Sequence, residues 1–386
     1  MAELTDLVVD LIEIDCSCVD GNRVWFVGKT FNYLFCMDIS EKIIEIVERL
    51  PGEQLIGYRS YSNIVKYKNQ IILIPGYADK ILIYDAAARI FREIEVKIQG
   101  KHVFYVFVGI EHDKLYLMDY EDARIVIIDL DKRCIASCRK IETSEPVNLI
   151  YSKPILQKGN IYIPLCEGNK IIIYQISDDV FRECLLESVA SGYSNIIYDG
   201  IFFWLIGFAG EIVKWDSETM KIVQNISLPK DFKEFVIAGN DKIVKWYSYE
   251  EDRIRNYRFC WDCDFDGKYI WILPALSDSI LCVDKDTGVL QIIELPNENE
   301  DTYTMQGREG YKFSFMGIDE ERYIRIYSHK NRVIYCVDNT TTQYSVEKWS
   351  MKDASLREFL DDYWNEPRSE SLKENLGFFL ESVLFK

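Results

Sequence analysis

The sequence predicts an all-β chain folded as a closed ring of four-stranded antiparallel blades. Three observations predict it. The chain is rich in aromatic residues, with 25 Tyr, 20 Phe and 8 Trp, and strands favour these side chains. One hairpin pattern recurs down the chain at a nearly fixed period. A further apolar run precedes and follows most copies, which makes four short strands per unit.

The copies occupy residues 21–38, 68–85, 112–129, 158–175, 198–216, 265–284 and 320–338. Each holds two apolar runs joined by a polar turn, the mark of a β-hairpin. They end at Asp38, Asp85, Asp129, Gln175, Asp216, Asp284 and Asp338, so the spacings are 47, 44, 46, 41, 68 and 54 residues. Following strands are expected at 92–96, 180–186, 221–228 and 289–295, and preceding ones at 63–67 and 195–198. Runs such as Ile171-Ile172-Ile173-Tyr174 are apolar on both faces, so the strands are covered on both sides. Trp25, Ile72, Leu115, Ile161, Phe202, Ile270 and Ile324, one from each first run, are expected in the core.

A four-stranded unit of ~40–50 residues repeated around an axis is a β-propeller blade. An open β-solenoid would need coils of ~20–30 residues, and tandem sandwiches would not repeat one hairpin. The 68-residue interval contains a degenerate copy, 239–259, whose second run is polar and charged. Seven blades are therefore expected, with eight as the alternative.

The corner Asp284-Lys285-Asp286-Thr287-Gly288 is similar to corners in NHL, quinoprotein-like and kelch-like blades. The paired glycines of kelch blades are absent, and the tryptophan–aspartate dipeptide occurs only at Trp215-Asp216 and Trp261-Asp262. The resemblance is to β-propeller repeat proteins as a class. It spans about residues 10–350 and implies no specific family.

The period changes after Met351. Residues 1–350 are read as the propeller and 351–386 as a tail of amphipathic helices. Leu356, Phe359, Leu360, Tyr363 and Trp364 share one helical face, and Ser355 with Glu358 reads as a capping box. Pro367 ends that helix. Ser371 with Glu374 repeats the capping signal, and Leu372, Leu376, Phe379, Leu380 and Val383 form a second face. The tail is expected to pack on the propeller or on a partner.

The formal charge of −18 argues against nucleic acid and anionic membrane surfaces as partners. The N-terminus lacks a secretory pattern, the apolar run 201–208 is too short to span a bilayer, and the eleven cysteines are scattered. They read as reduced thiols in a cytoplasmic protein.

Catalytic and metal motifs are weak. Cys260–Cys263 is a single C-x-x-C without a second ligand pair, and the pairs Cys134/Cys138 and Cys16/Cys18 read as structural. Of the three histidines, His112 and His329 fall in turns of different blades and His102 at a blade entry beside Lys101. The acidic run 262–266 lacks the Gly and Glu of a calcium loop. No catalytic residue, metal or cofactor is expected.

The remaining signal lies where blades join. Aromatic and basic residues gather at these junctions, and Tyr, Trp and Arg dominate binding hot spots. Arg59, Tyr61, Lys101, His102, Trp261 and Arg308 are the candidate binding residues; packing between blades is the plain alternative. The function so read is a non-catalytic binding or scaffold propeller that recognises a protein or peptide through one face. The alternatives are a propeller-type hydrolase or lyase with a carboxylate site, and a carbohydrate- or small-ligand-binding propeller.

Overall fold

The computed structural model describes residues 12 and 14–365, apart from 30, 56–58, 99–102, 146, 148, 150, 151, 188, 189, 191, 230, 231, 233–258, 276, 296–312, 320, 321, 330 and 332. Seven antiparallel blades of four strands form a β-propeller. Blade 1 comprises Ile14–Asp20, Arg23–Gly28, Tyr33–Asp38 and Ile43–Arg49. Blade 2 comprises Tyr61–Tyr67, Gln70–Pro75, Lys80–Asp85 and Ile90–Glu95. Blade 3 comprises Tyr105–Glu111, Lys114–Asp119, Arg124–Asp129 and Cys134–Lys140. Blade 4 comprises Ile155–Gln157, Asn160–Pro164, Lys170–Gln175 and Val180–Leu185. Blade 5 comprises Tyr193–Tyr198, Phe203–Gly207, Ile212–Asp216 and Lys221–Ile226. Blade 6 comprises Cys260–Phe265, Tyr269–Pro274, Ser279–Asp284 and Leu290–Glu294. Blade 7 comprises Phe313–Ile318, Tyr323–Ser328, Val333–Asp338 and Tyr344–Glu347.

The first strand of each blade lies beside the first strand of the next, and that of blade 7 beside that of blade 1. These seven innermost strands surround the axis. Each junction between blades holds one apolar cluster. Blades 5 and 6 pack directly through Trp204, Ile206, Ile270 and Ile272, which leaves no place for an eighth blade between them. The degenerate copy lies outside the described residues except for Phe259, which is buried in that junction. Trp25, Ile72, Leu115, Ile161, Ile270 and Ile324 are core residues. Phe202 is only half-buried, because its strand starts one residue later, and its ring lies 4.7 Å from the Lys214 ammonium.

The recurring Asp has a structural role. It ends the third strand of every blade but blade 4, which has Gln175 there, and its Oδ1 accepts backbone N–H groups of the next turn. Asp38 bonds Ser40 and Glu41, Asp216 bonds Glu218 and Thr219, and Asp284 bonds Asp286 and Thr287. Hydroxyl bonds from Ser40 to Asp38 and from Thr219 to Asp216, together with these backbone bonds, stabilise the charged form, and the Thr287 N–H leads at Asp284, so the three carboxyls sit below the ordinary value. Four residues after each strand end the backbone turns left-handed, at Lys42, Arg89, Arg133, Asp179, Met220, Gly288 and Thr342. Only blade 6 places glycine there.

The tail closes the ring. Ser350–Met351 pairs in parallel with Ile43 and Ile44 on the outer strand of blade 1. Helix α1, Asp353–Asn365, follows and packs on that strand. Ser355 lies inside the first turn of α1, not before it, and its hydroxyl accepts the Ile46 N–H at 3.0 Å. The expected capping box is therefore replaced by a bond to the blade. Leu356 and Phe359 join a cluster with Phe31, Tyr33 and Phe35 of blade 1 and with Met316, Tyr327 and Ile334 of blade 7. The Tyr33 hydroxyl donates to Asp362 at 2.6 Å. Among the described residues, no helix is long and apolar enough to cross a membrane.

Candidate functional site

Alternating strands put the links between blades, and the turns between second and third strands, on one face of the ring. Arg59 sits on this face just before the inner strand of blade 2. Its backbone is left-handed, with φ 50°. Its N–H donates to the Lys29 carbonyl in blade 1 at 2.8 Å, and its carbonyl accepts the Tyr77 N–H at 3.1 Å. Gly76 permits this approach, since a Cβ there would meet the Arg59 oxygen at 2.6 Å.

Tyr77 is 57% exposed. Its ring meets Phe104 edge-on at 5.7 Å, and Phe104 meets Tyr120 at 5.6 Å. Both spacings suit favourable aromatic pairs. Burial pushes the Tyr120 phenol up, while the neighbouring Arg59 guanidinium acts against that shift. Asp119 holds the turn that carries Tyr120 by accepting the N–H groups of Glu121 and Asp122 at 3.0 and 3.1 Å. The result is a surface of three aromatic rings with a guanidinium, at the junction of blades 2 and 3.

Of the six residues expected from sequence, Arg59 and Trp261 are partly exposed at this end of the inner strands. They belong to blades 2 and 6, on opposite sides of the ring. Trp261 occupies a β-bulge between Cys260 and Asp262. Tyr61 is buried between blades 1 and 2, where burial raises its phenol and Cys16 points at its carbonyl. It packs as an ordinary contact between blades. Lys101, His102 and Arg308 lie outside the described residues. Tyr77, Phe104 and Tyr120 were missed as site residues, although the junction segment 101–105 and the turn after Gly76 carried the signal.

A second polar group lies on the inner strands. Lys153 Nζ donates to Asp262 Oδ1 at 2.8 Å, joining blades 4 and 6 past the inner strand of blade 5. The Lys153 N–H is held by the Ser194 carbonyl at 2.8 Å. Two residues beyond Asp262 on the innermost strand of blade 6, Asp264 is open to solvent yet has protein packed around it. Desolvation raises its carboxyl to about 6, with Asp262 and Asp266 adding repulsion and the Phe265 N–H opposing. A carboxyl there can exchange a proton near neutral pH. The Cys263 thiol is pushed well up by its hydrogen bond with Cys260 and by burial, which disfavours its thiolate.

On the opposite face, clefts of about 400 and 380 Å³ lie between blades 4 and 5 and between blades 2 and 3. Among the described residues, no group of three or more His, Cys, Asp and Glu side chains is placed to hold a metal ion.

No family model matches the sequence, and no curated protein matches it. Solved structures do match the fold. A streptogramin B lyase superposes with a TM-score of 0.59 at 14% identity, over 84% of this chain and 93% of that one. The virginiamycin B lyase of Staphylococcus aureus gives 0.56 at 13% identity, over 83% and 92%. The computationally designed protein Ika8 gives 0.55 at 10% identity, over 88% and 89%. At these identities the likeness is one of fold. The chain is a seven-bladed β-propeller whose neighbours include both lyases and a designed protein.

Proposed function

We propose that the protein is a binding propeller of the cytoplasm that holds a peptide segment of a partner on the face bearing Arg59, Tyr77, Phe104 and Tyr120. The observation that carries this reading is the exposed Tyr77 ring beside the half-buried rings of Phe104 and Tyr120, with a guanidinium at their edge. Rings supply apolar area at low entropic cost, and Arg59 favours an acidic or polar segment on a protein of charge −18. Trp261, Lys101, His102 and Arg308 extend the same face in this proposal. The odd number of scattered cysteines supports the cytoplasmic part of this reading. Residues 1–350 act as the binding body and 351–386 as its tail.

A displayed library of random peptides, selected on the full chain, tests the reading. Enriched peptides should bind Arg59→Ala and Tyr77→Ser more weakly by ~1–3 kcal/mol each. Peptides that bind the wild type and both variants equally would overturn it.

A second reading rests on Asp264, whose carboxyl near 6 lies close to the Lys153–Asp262 pair. It is a carboxylate-based hydrolase or lyase working from the channel. Turnover of a panel of cyclic esters that disappears in Asp264→Asn would favour it; unchanged turnover in that variant would exclude Asp264 as the catalytic group.

A further inference from the structure

From the placement of α1 we infer that residues 371–386 of this chain dock on the Tyr77–Phe104–Tyr120 surface and occupy it until a partner displaces them. The inference rests on the peptide-binding reading above.

Three observations lead to it. The first is direction. Ser350 pairs with Ile43, at the start of the outer strand of blade 1. Ser355 then contacts Ile46, and Asp362 reaches Tyr33, which is paired with Arg49 at the strand's far end. Helix α1 therefore climbs the edge of blade 1 and ends at the face that carries Arg59. The second is continuity. Phe359 meets Phe31 edge-on at 4.8 Å, within the turn of blade 1 that also holds Lys29. Lys29 is bonded to Arg59, and Arg59 to Tyr77. The end of α1 and the aromatic surface thus rest on one continuous line of contacts.

The third is the chemistry of the chain that follows. Twenty-one residues come after Asn365 in the sequence. As extended chain they reach up to about 70 Å, and 371–386 as a helix would measure about 24 Å. Both lengths span neighbouring blades. Leu372, Leu376, Phe379, Leu380 and Val383 recur at helical spacing and need an apolar surface to cover them. A tethered segment also meets its site at a high effective concentration, so modest affinity is enough to hold it there.

The test uses the full chain with a photo-cross-linking benzoylphenylalanine in place of Tyr77, irradiated at low concentration and mapped by mass spectrometry. The expected product is a cross-link within one chain to residues 371–386. Its yield should fall by roughly tenfold when Leu376→Ser and Phe379→Ser remove the apolar face. The same probe at Ile201, exposed on the opposite face, should give no such product. Cross-links that join two chains, that map elsewhere, or that form equally from Ile201 would overturn the inference. The outcomes separate it from the reading beneath it. If selected peptides need Arg59 and Tyr77 while the probe never finds 371–386, the surface binds peptides without a built-in occupant and this inference falls. If the probe finds 371–386 and no peptide is enriched even on the Leu376→Ser, Phe379→Ser chain, the docking of the tail stands, while its displacement by a partner falls together with the partner reading.

Discussion

Lys153 and Asp262 join blades 4 and 6 through a 2.8 Å ion pair that passes the inner strand of blade 5. Sequence neighbours cannot form it, since 109 residues separate the partners. It places a cation and a carboxylate close to the raised Asp264 carboxyl.

Removing the Asp262 charge should lower the Asp264 pKa from about 6, because Asp262 is one source of the repulsion. Carboxyl carbon NMR titration of Asp262→Asn checks this. A folded-state value above the unfolded one means the native state holds the extra proton. Asp264 therefore weakens the fold as pH rises from about 4 to 6. In Asp264→Asn that loss should vanish, seen as a flatter melting curve across this window.

The turn acids act in the opposite sense. Their depressed carboxyls contribute stability above the unfolded value, and it is lost as pH falls through their folded values. Neutralising Asp38 and Asp284 as Asn should make melting temperature less sensitive to acid.

The left-handed turn position offers a backbone test. Met220 adopts φ 59° and Gly288 φ 73° at equivalent sites. Met220→Gly should stabilise by ~0.5–1 kcal/mol and Gly288→Ala should destabilise by ~1–2 kcal/mol. Urea unfolding of both variants measures the two signs.

Blade 7 contains a buried ion pair. Arg325 lies 2.8 Å from Asp319 and 3.1 Å from Glu347, and is almost fully buried. Asp319→Ala leaves the guanidinium short of a buried partner and should cost ~3–5 kcal/mol. Replacing both residues by apolar ones should cost less than the single change, which denaturant unfolding would show.

Helix α1 packs into the junction where blades 7 and 1 meet. Phe359 is 2% exposed in a cluster shared by blades 1 and 7. Phe359→Ala should cost ~3–5 kcal/mol, and amide exchange should rise first in blades 1 and 7. Uniform loss of protection across all blades would show instead that the clasp is not a local unit.

Much of the architecture is local and was legible in the residues. Short apolar runs rich in β-branched and aromatic residues, polar turns and the terminal Asp specify strands and corners through contacts a few residues apart, so the hairpins and the propeller class followed from them. The Asp199–Trp204 and Asp266–Trp271 bonds, both 2.8 Å and five residues long, are local in the same way. The sequence left seven or eight blades open, because blade count depends on which junctions pack. Trp204 against Ile270 decides that, and no local pattern states it. Tyr61 and Tyr77 show the same limit at the candidate site. Both are aromatic residues near a blade junction, yet one is buried and the other is 57% exposed. Strand register turns Tyr61 into the core, while the turn after Gly76 lifts Tyr77 onto the face. The tail divides similarly. Its amphipathic spacing was plain, but the surface it covers was set by ring closure, which brings blade 7 and α1 against blade 1 across more than 300 residues of chain.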